Sequence, residues 1–148
     1  MVNNEMEIFE TAYKAIHRHL SVLDKVSKNK EIFKAGTGIE GWFQLTLLYA
    51  FLRGGYNVRI AGKVRRDCDI IINDIGIELR AELAQTRNAH WFISCLKKRL
   101  NADMFLFLTR VTLKDNLFNF LKENGYVKKS RELNPRWMLW LIKKEHGS

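Results

Sequence analysis

From Arg65 to Glu82 the chain reads Arg-Arg-Asp-Cys-Asp-Ile-Ile-Ile-Asn-Asp-Ile-Gly-Ile-Glu-Leu-Arg-Ala-Glu, with charges recurring at every second residue. Alternation along an extended strand sends Asp67 and Asp69 to one face and Cys68, Ile70 and Ile72 to the other; on the next strand Glu78, Arg80 and Glu82 oppose Ile77, Leu79 and Ala81. A two-residue turn at Asn73-Asp74 makes Asp69 face Glu78 and Asp67 face Arg80, whereas a turn at Asp74-Ile75 makes Asp69 face Arg80. Either register gathers these charges on one face. Two carboxylates opposed on a ladder lie about 5 Å apart and repel by roughly 3 kcal/mol at an effective dielectric of about 20. A divalent cation relieves that repulsion. Mg²⁺ takes a few carboxylate or carbonyl oxygens, keeps several waters, and can polarise a phosphate and acidify an attacking water. The plainer expectation for the same residues is a solvated sheet face laced by cross-strand ion pairs.

The elements that must position this segment follow from the hydrophobic period. Residues 6–23 place Phe9, Tyr13, Ile16, Leu20 and Leu23 three or four apart, an amphipathic helix with Lys14, His17, Arg18 and Lys25 largely on its wet side. Residues 39–53 predict a second helix, apolar nearly all round and therefore central and buried, closed by Gly54-Gly55. Strands follow at 56–61, 68–72 and 77–83, with Asn73-Asp74-Ile75-Gly76 as the turn between the last two. Residues 88–100 form a helical pattern with Phe92, Cys95, Leu96 and Leu100 on one stripe, and the apolar run 104–108 predicts a strand covered on both faces. A short helix at 112–124 ends at Gly125, and strands at 127–133 and 137–143 flank Asn134-Pro135. The order is α-α-β-β-β-α-β-α-β-β, read as one α/β domain over residues 1–148. Both alternating faces of residues 137–142 are apolar, so that strand is either internal or covered by a second subunit, and a homodimer is expected.

The chain has 148 residues, 47% hydrophobic and 28% charged, enough apolar surface for one core without disulfides. Cys68 and Cys95 have no Cys or His nearby at metal-ligand spacing, which argues against zinc and for reduced core thiols. The opening residues MVNNEMEIFE are polar and acidic where a signal peptide is basic and then apolar. No run reaches the ~18 apolar residues of a membrane span, so a cytoplasmic protein without a membrane partner is expected. Lys plus Arg outnumber Asp plus Glu 25 to 16, a formal +9 that favours polyanions, nucleic acid first. Lys63, Arg65 and Arg66 flank the acidic strand; Lys97, Lys98 and Arg99, then Lys128, Lys129 and Arg131, form further clusters. These are candidate phosphate contacts or, more plainly, a solvated basic face. Trp42 and Trp91 read as core. His17 and His19, two apart on a helix, share no face and make no metal pair. Thr37-Gly38-Ile39-Glu40 is a capping box, which gives Glu40 a local role at a helix start.

A helix carrying Glu40, then Asp69 ahead of Ile-Ile-Ile, then Glu78-Leu79-Arg80 on the next strand, then a helix and an apolar strand, resembles the core of the PD-(D/E)XK nuclease superfamily over roughly residues 38–108. The resemblance implies a restriction-endonuclease-like fold, a three-layer α-β-β-β-α-β core whose mixed sheet is flanked by helices. The N-terminal helix and the C-terminal strands are additions to it. It implies an endonuclease that hydrolyses nucleic acid, DNA ahead of RNA, with Mg²⁺ (or Mn²⁺ in its place). Asp69, Glu78 and the Leu79 carbonyl would be ligands, Glu40 would hold a water on the ion, and Arg80 would orient the attacking water or stabilise the phosphate. Two departures stand out: the family's basic residue is usually Lys where this chain has Arg80, and the Pro of the motif is absent before Asp69. A guanidinium stays charged and so cannot act as a general base. Gln85 and His90 follow where related nucleases sometimes place a polar helper, while Glu82 and Asp74 read as solvated. Beside the nuclease stand two other expectations: a nuclease-like domain that binds nucleic acid without cutting, and a structural or regulatory protein that retains the fold.

Overall fold

The computed structural model describes residues 4–28, 39–60, 69–81, 103–110, 121–123 and 125–143. Its central local feature is the Asn73-Asp74 turn, where both residues have positive φ, 48° and 71°. That is the left-handed backbone a type I′ hairpin requires, and Asn and Asp tolerate it better than other residues with a side chain. Asn73 Oδ1 accepts the Asn57 N–H at 2.9 Å, and the Asn73 N–H donates to the Asn57 carbonyl at 3.0 Å. The turn fixes β2 (Ile70–Ile72) against β3 (Ile75–Ala81) with Ile70 opposite Ile77 and Ile72 opposite Ile75. This is the first of the two registers read from the sequence. Ile75 and Gly76, expected in the turn, belong to β3 instead, because two left-handed residues suffice to reverse the chain.

Among the described residues the sheet has six strands in the order β1-β2-β3-β4-β6-β5, with β1 (Val58–Ile60), β4 (Met104–Arg110), β5 (Val127–Glu132) and β6 (Trp137–Lys143). Strands β3 and β4 run parallel and every other pair is antiparallel, so the architecture is α/β with a mixed sheet. Ile70, Ile77, Leu79, Leu106, Leu139 and Leu141 of the sheet join one buried cluster with Phe9, Ile16, Phe43, Leu47 and Phe51 of the helices. Strand β6 lies between β4 and β5 and buries both Trp137 and Leu139 on one face and Trp140 and Ile142 on the other. Its two apolar faces are thus satisfied within one chain. The Trp140 Nε1–H meets Thr109 Oγ1 at 2.9 Å, which removes the cost of burying that indole donor.

The expected helix over 6–23 is two helices, α1 (Asn4–Arg18) and α2 (Leu20–Lys28). The chain tightens at His19, where the His19 and Val22 N–H groups reach back three residues to Ile16 and His19. The apolar stripe nonetheless continues, with Phe9, Ile16, Leu20 and Leu23 buried. Helix α3 (Ile39–Arg53) ends in a Schellman cap: the Tyr56 N–H bonds the Phe51 carbonyl, the Gly55 N–H bonds Leu52, and Gly55 takes a φ of 82°. Contrary to expectation α3 is not buried all round. Only Phe43, Leu47 and Phe51 are fully covered, because α3 packs against α1 and one face of the sheet. The expected helix at 88–100 and most of that at 112–124 lie outside the described residues; among these, no helix is long and apolar enough to cross a membrane.

Because Asp74 is strained by its positive φ and its Arg59 ion pair is exposed, the pair offsets little of the strain. Asp74→Gly should raise stability by about 0.5–1 kcal/mol, and Asp74→Val should lower it by about 1–2 kcal/mol, in urea unfolding. Destabilisation by the glycine would show that the turn's geometry does not limit the hairpin.

Candidate functional site

Alternation along β3 places Ile77, Leu79 and Ala81 in the helix-packed core and leaves Glu78 and Arg80 on the opposite face, in register with Phe105 and Phe107 of β4. Asp69 stands one residue ahead of β2, and its N–H donates to the Ile77 carbonyl at 3.0 Å, which extends the ladder and brings Asp69 beside Glu78. The Asp69 carboxylate is aimed by the backbone of β3: Oδ2 accepts the Leu79 N–H at 2.8 Å. Arg80 spans two acids, with Nη2 3.1 Å from Glu78 Oε1 and Nη1 3.2 Å from Oε1 of Glu40, in the first turn of α3. One helix and two strands therefore supply Glu40, Asp69, Glu78 and Arg80 to a single cluster.

Its electrostatics follow from burial. Only 4% of Glu78 is exposed. Desolvation, then a hydrogen bond and charge repulsion from Asp69, push its carboxyl up to about 8, against the partial relief given by Arg80. Near neutral pH the Glu78 carboxyl thus carries a proton that it donates to Asp69. Glu40 is also held above the ordinary carboxylate range, chiefly by burial, although Arg80 offsets part of this. The cluster binds a proton because three carboxylates face one guanidinium.

These observations bring together Glu40, Asp69, Glu78 and Arg80, which the sequence nominated, and they add features it did not show. Leu79, expected to act through its carbonyl, contributes its N–H to Asp69. The Arg80 bridge to Glu78 and Glu40 has no sequence signature, since Glu40 is far away along the chain. Asp103, directly ahead of the apolar run of β4, accepts the Gly76 N–H at 2.7 Å and clamps β4 to β3. Asp74 is solvated, as expected. Lys129 and Arg131 are not free phosphate contacts: both grip Glu10, with Arg131 Nη2 at 2.7 Å, and Arg131 stacks 4.7 Å over the Tyr13 ring. Arg131 first, then Lys129, hold the Glu10 carboxyl below its usual range. Lys63, Arg65, Arg66, Asp67, Cys68, Glu82, Gln85, His90, Trp91, Cys95, Lys97, Lys98 and Arg99 lie outside the described residues.

Among the described residues no group of three or more His, Cys, Asp or Glu is arranged to hold a metal ion. The pair Asp69 and Glu78 is a smaller donor set, and Mg²⁺ needs only one or two carboxylates because it retains its waters. The chemistry of the pair fits such an ion: two hard carboxylates, one deeply buried, stand side by side on adjacent strands, and a cation between them relieves their repulsion. Compared with known proteins, the chain matches no family model, no curated protein and no solved structure.

The raised value of Glu78 has a signed consequence. A carboxyl whose folded value exceeds its ordinary value of 4.5 stabilises the fold fully below about pH 4.5, and the contribution is lost as pH rises through about 8. In EDTA, native protein should lose on the order of a few kcal/mol relative to Glu78→Gln between about pH 5 and pH 8.5. Parallel pH profiles for the two proteins would show that Glu78 titrates normally.

Proposed function

We propose that this chain is a Mg²⁺-dependent nuclease that cuts DNA in preference to RNA, built on a restriction-endonuclease-like core. The observation that carries the reading is the meeting of Asp69 and Glu78, from adjacent strands, in a buried site that also receives Arg80 and Glu40. The succession of α3, the β1-β2-β3 meander and a parallel β4 supports it, since that is the order in which the superfamily presents its site. The formal charge of +9 supports a polyanionic substrate.

In this reading Asp69 and Glu78 would hold the ion, and the Leu79 carbonyl would offer a third oxygen. Bound there, Mg²⁺ supplies Lewis-acid stabilisation of a phosphoryl oxygen and a lower pKa for an attacking water. The chain's own residues do the rest. The Leu79 N–H keeps Asp69 aimed, so one ligand is fixed before the ion arrives. Arg80, 31% exposed, is placed to turn from its acids toward a phosphate oxygen, where a planar fork of donors stabilises developing charge. Glu40, its side chain 40% exposed, is positioned to orient water. Asp69→Asn and Glu78→Gln should each reduce Mg²⁺-dependent cleavage of plasmid or oligonucleotide DNA by at least about 100-fold while leaving DNA affinity within a few-fold. Undiminished cleavage in either variant would move the site elsewhere.

One observation favours a second reading, a domain that binds nucleic acid without cutting it. The Arg80 guanidinium already answers Glu78 and Glu40, and so competes with a metal for the same oxygens. A lysine reaches only one of the two. Arg80→Lys should therefore raise Mg²⁺-dependent cleavage, or create it, at nearly unchanged affinity, with Arg80→Ala lowering it. Loss of robust native cleavage on Arg80→Lys would make Arg80 an adapted catalytic residue and exclude the non-cutting reading.

A further inference from the structure

Helix α3 carries an apolar stripe that the core does not use. Leu45, Tyr49 and Leu52 follow at spacings of four and three on one face, with 70%, 63% and 60% of their surface exposed. Beside it, between the C-terminal halves of α1 and α3, lies a cavity of about 280 Å³ lined by Lys14, Arg18, Arg53, Tyr49 and Thr11 over two alanines. Among the described residues no carboxylate lines this cavity and none of the three cations forms an ion pair. Arg59, Arg80, Lys129, Arg131, Arg136 and Lys143 each meet an acid, whereas Lys14, Arg18 and Arg53 are gathered around one cavity. Three neighbouring positive charges repel each other, and an anion relieves that repulsion.

We propose that the pocket and the stripe together bind a single strand of nucleic acid, with phosphates at Lys14, Arg18 and Arg53 and bases laid against Tyr49 and its leucine neighbours. Either feature alone is less specific: the cations suit any polyanion, and the leucines suit a protein surface. A row of phosphates alongside unstacked apolar base faces is the chemistry of a single strand, whereas a duplex turns its bases inward. The scale also fits. Glu40 in the first turn of α3 and Arg53 in its last are about 20 Å apart at 1.5 Å per residue, about six phosphate steps at the ~3.4 Å spacing of a stacked strand. This inference rests on the nucleic-acid reading above but requires no cleavage.

The test is fluorescence anisotropy of a labelled oligothymidylate of about twelve nucleotides, within the roughly 4–16 nucleotides of known single-strand sites. It is run in EDTA on the Glu78→Gln background, titrated across salt. Arg18→Gln combined with Arg53→Gln should weaken binding about tenfold and reduce the salt slope by about 1.4, at about 0.7 per phosphate contact. Tyr49→Ala should weaken it about tenfold at an unchanged slope, and Tyr49→Phe should restore it. Thermal midpoints within a few degrees of the parent confirm that these surface variants fold. An unchanged slope in the arginine variant, equal loss in the Phe and Ala variants, or no binding of the parent to the oligonucleotide overturns the inference. The cleavage assay is scored separately: a protein that cuts DNA but binds independently of these residues retains its nuclease reading and loses this groove, and one that binds through them without cutting does the reverse.

Discussion

Placing the Glu78 carboxylate inside a sheet costs several kcal/mol unless a proton, a cation or a donor answers its charge. Strand β3 meets that demand while serving as a core strand, because its period of two divides the labour: Ile77, Leu79 and Ala81 face the helices, and Glu78 and Arg80 face the other way. The answer to the charge comes from three directions. Arg80 supplies a guanidinium from the same strand, Asp69 from the next strand accepts the proton, and Glu40 from α3 occupies the far side of the guanidinium. The two left-handed residues at the hairpin select the register that sets Asp69 beside Glu78 instead of opposite Arg80, so they bear on the chemistry as much as on the fold.

The arrangement is poised between two charge states. With the proton in place, Asp69, Glu78, Glu40 and Arg80 carry a net charge near −1; without it they carry about −2, at a position where little water can help. A divalent cation that displaces the proton converts an electrostatic liability into binding energy, and the affinity of such a site rises with pH because its ligands must be deprotonated. Arg80 sets the opposing limit. A lysine, with one compact charge, would leave one acid free, whereas the arginine fork holds both Glu78 and Glu40.

Much of this was legible in the sequence for a physical reason. The charged alternation from Asp67 to Glu82 and the Asn73-Asp74 turn are local signals, and locality is what period and turn chemistry report. Helix α3 and strand β6 were bounded by equally local marks, a double glycine and an unbroken apolar run, and both fall where expected. What escaped depends on tertiary contact. Helix α3 has apolar residues on all sides, yet its exposed stripe appears only once α1 and the sheet have claimed the other face. Lys129 and Arg131 looked like a phosphate patch until Glu10 of α1 lay beside them. The break at His19 is a matter of three-residue hydrogen bonds that leave the apolar stripe intact, so the pattern carried no sign of it.

The central claim is that the buried proton of Glu78 occupies the place of a divalent cation. The most direct measurement is isothermal titration calorimetry of Mn²⁺ at about pH 7 in buffers of different ionisation enthalpy, which counts the protons released on binding. The account predicts release of about one proton per ion by the native protein and neither release nor comparable affinity in Glu78→Gln. Tight binding without proton release, or the same affinity in both proteins, would contradict it.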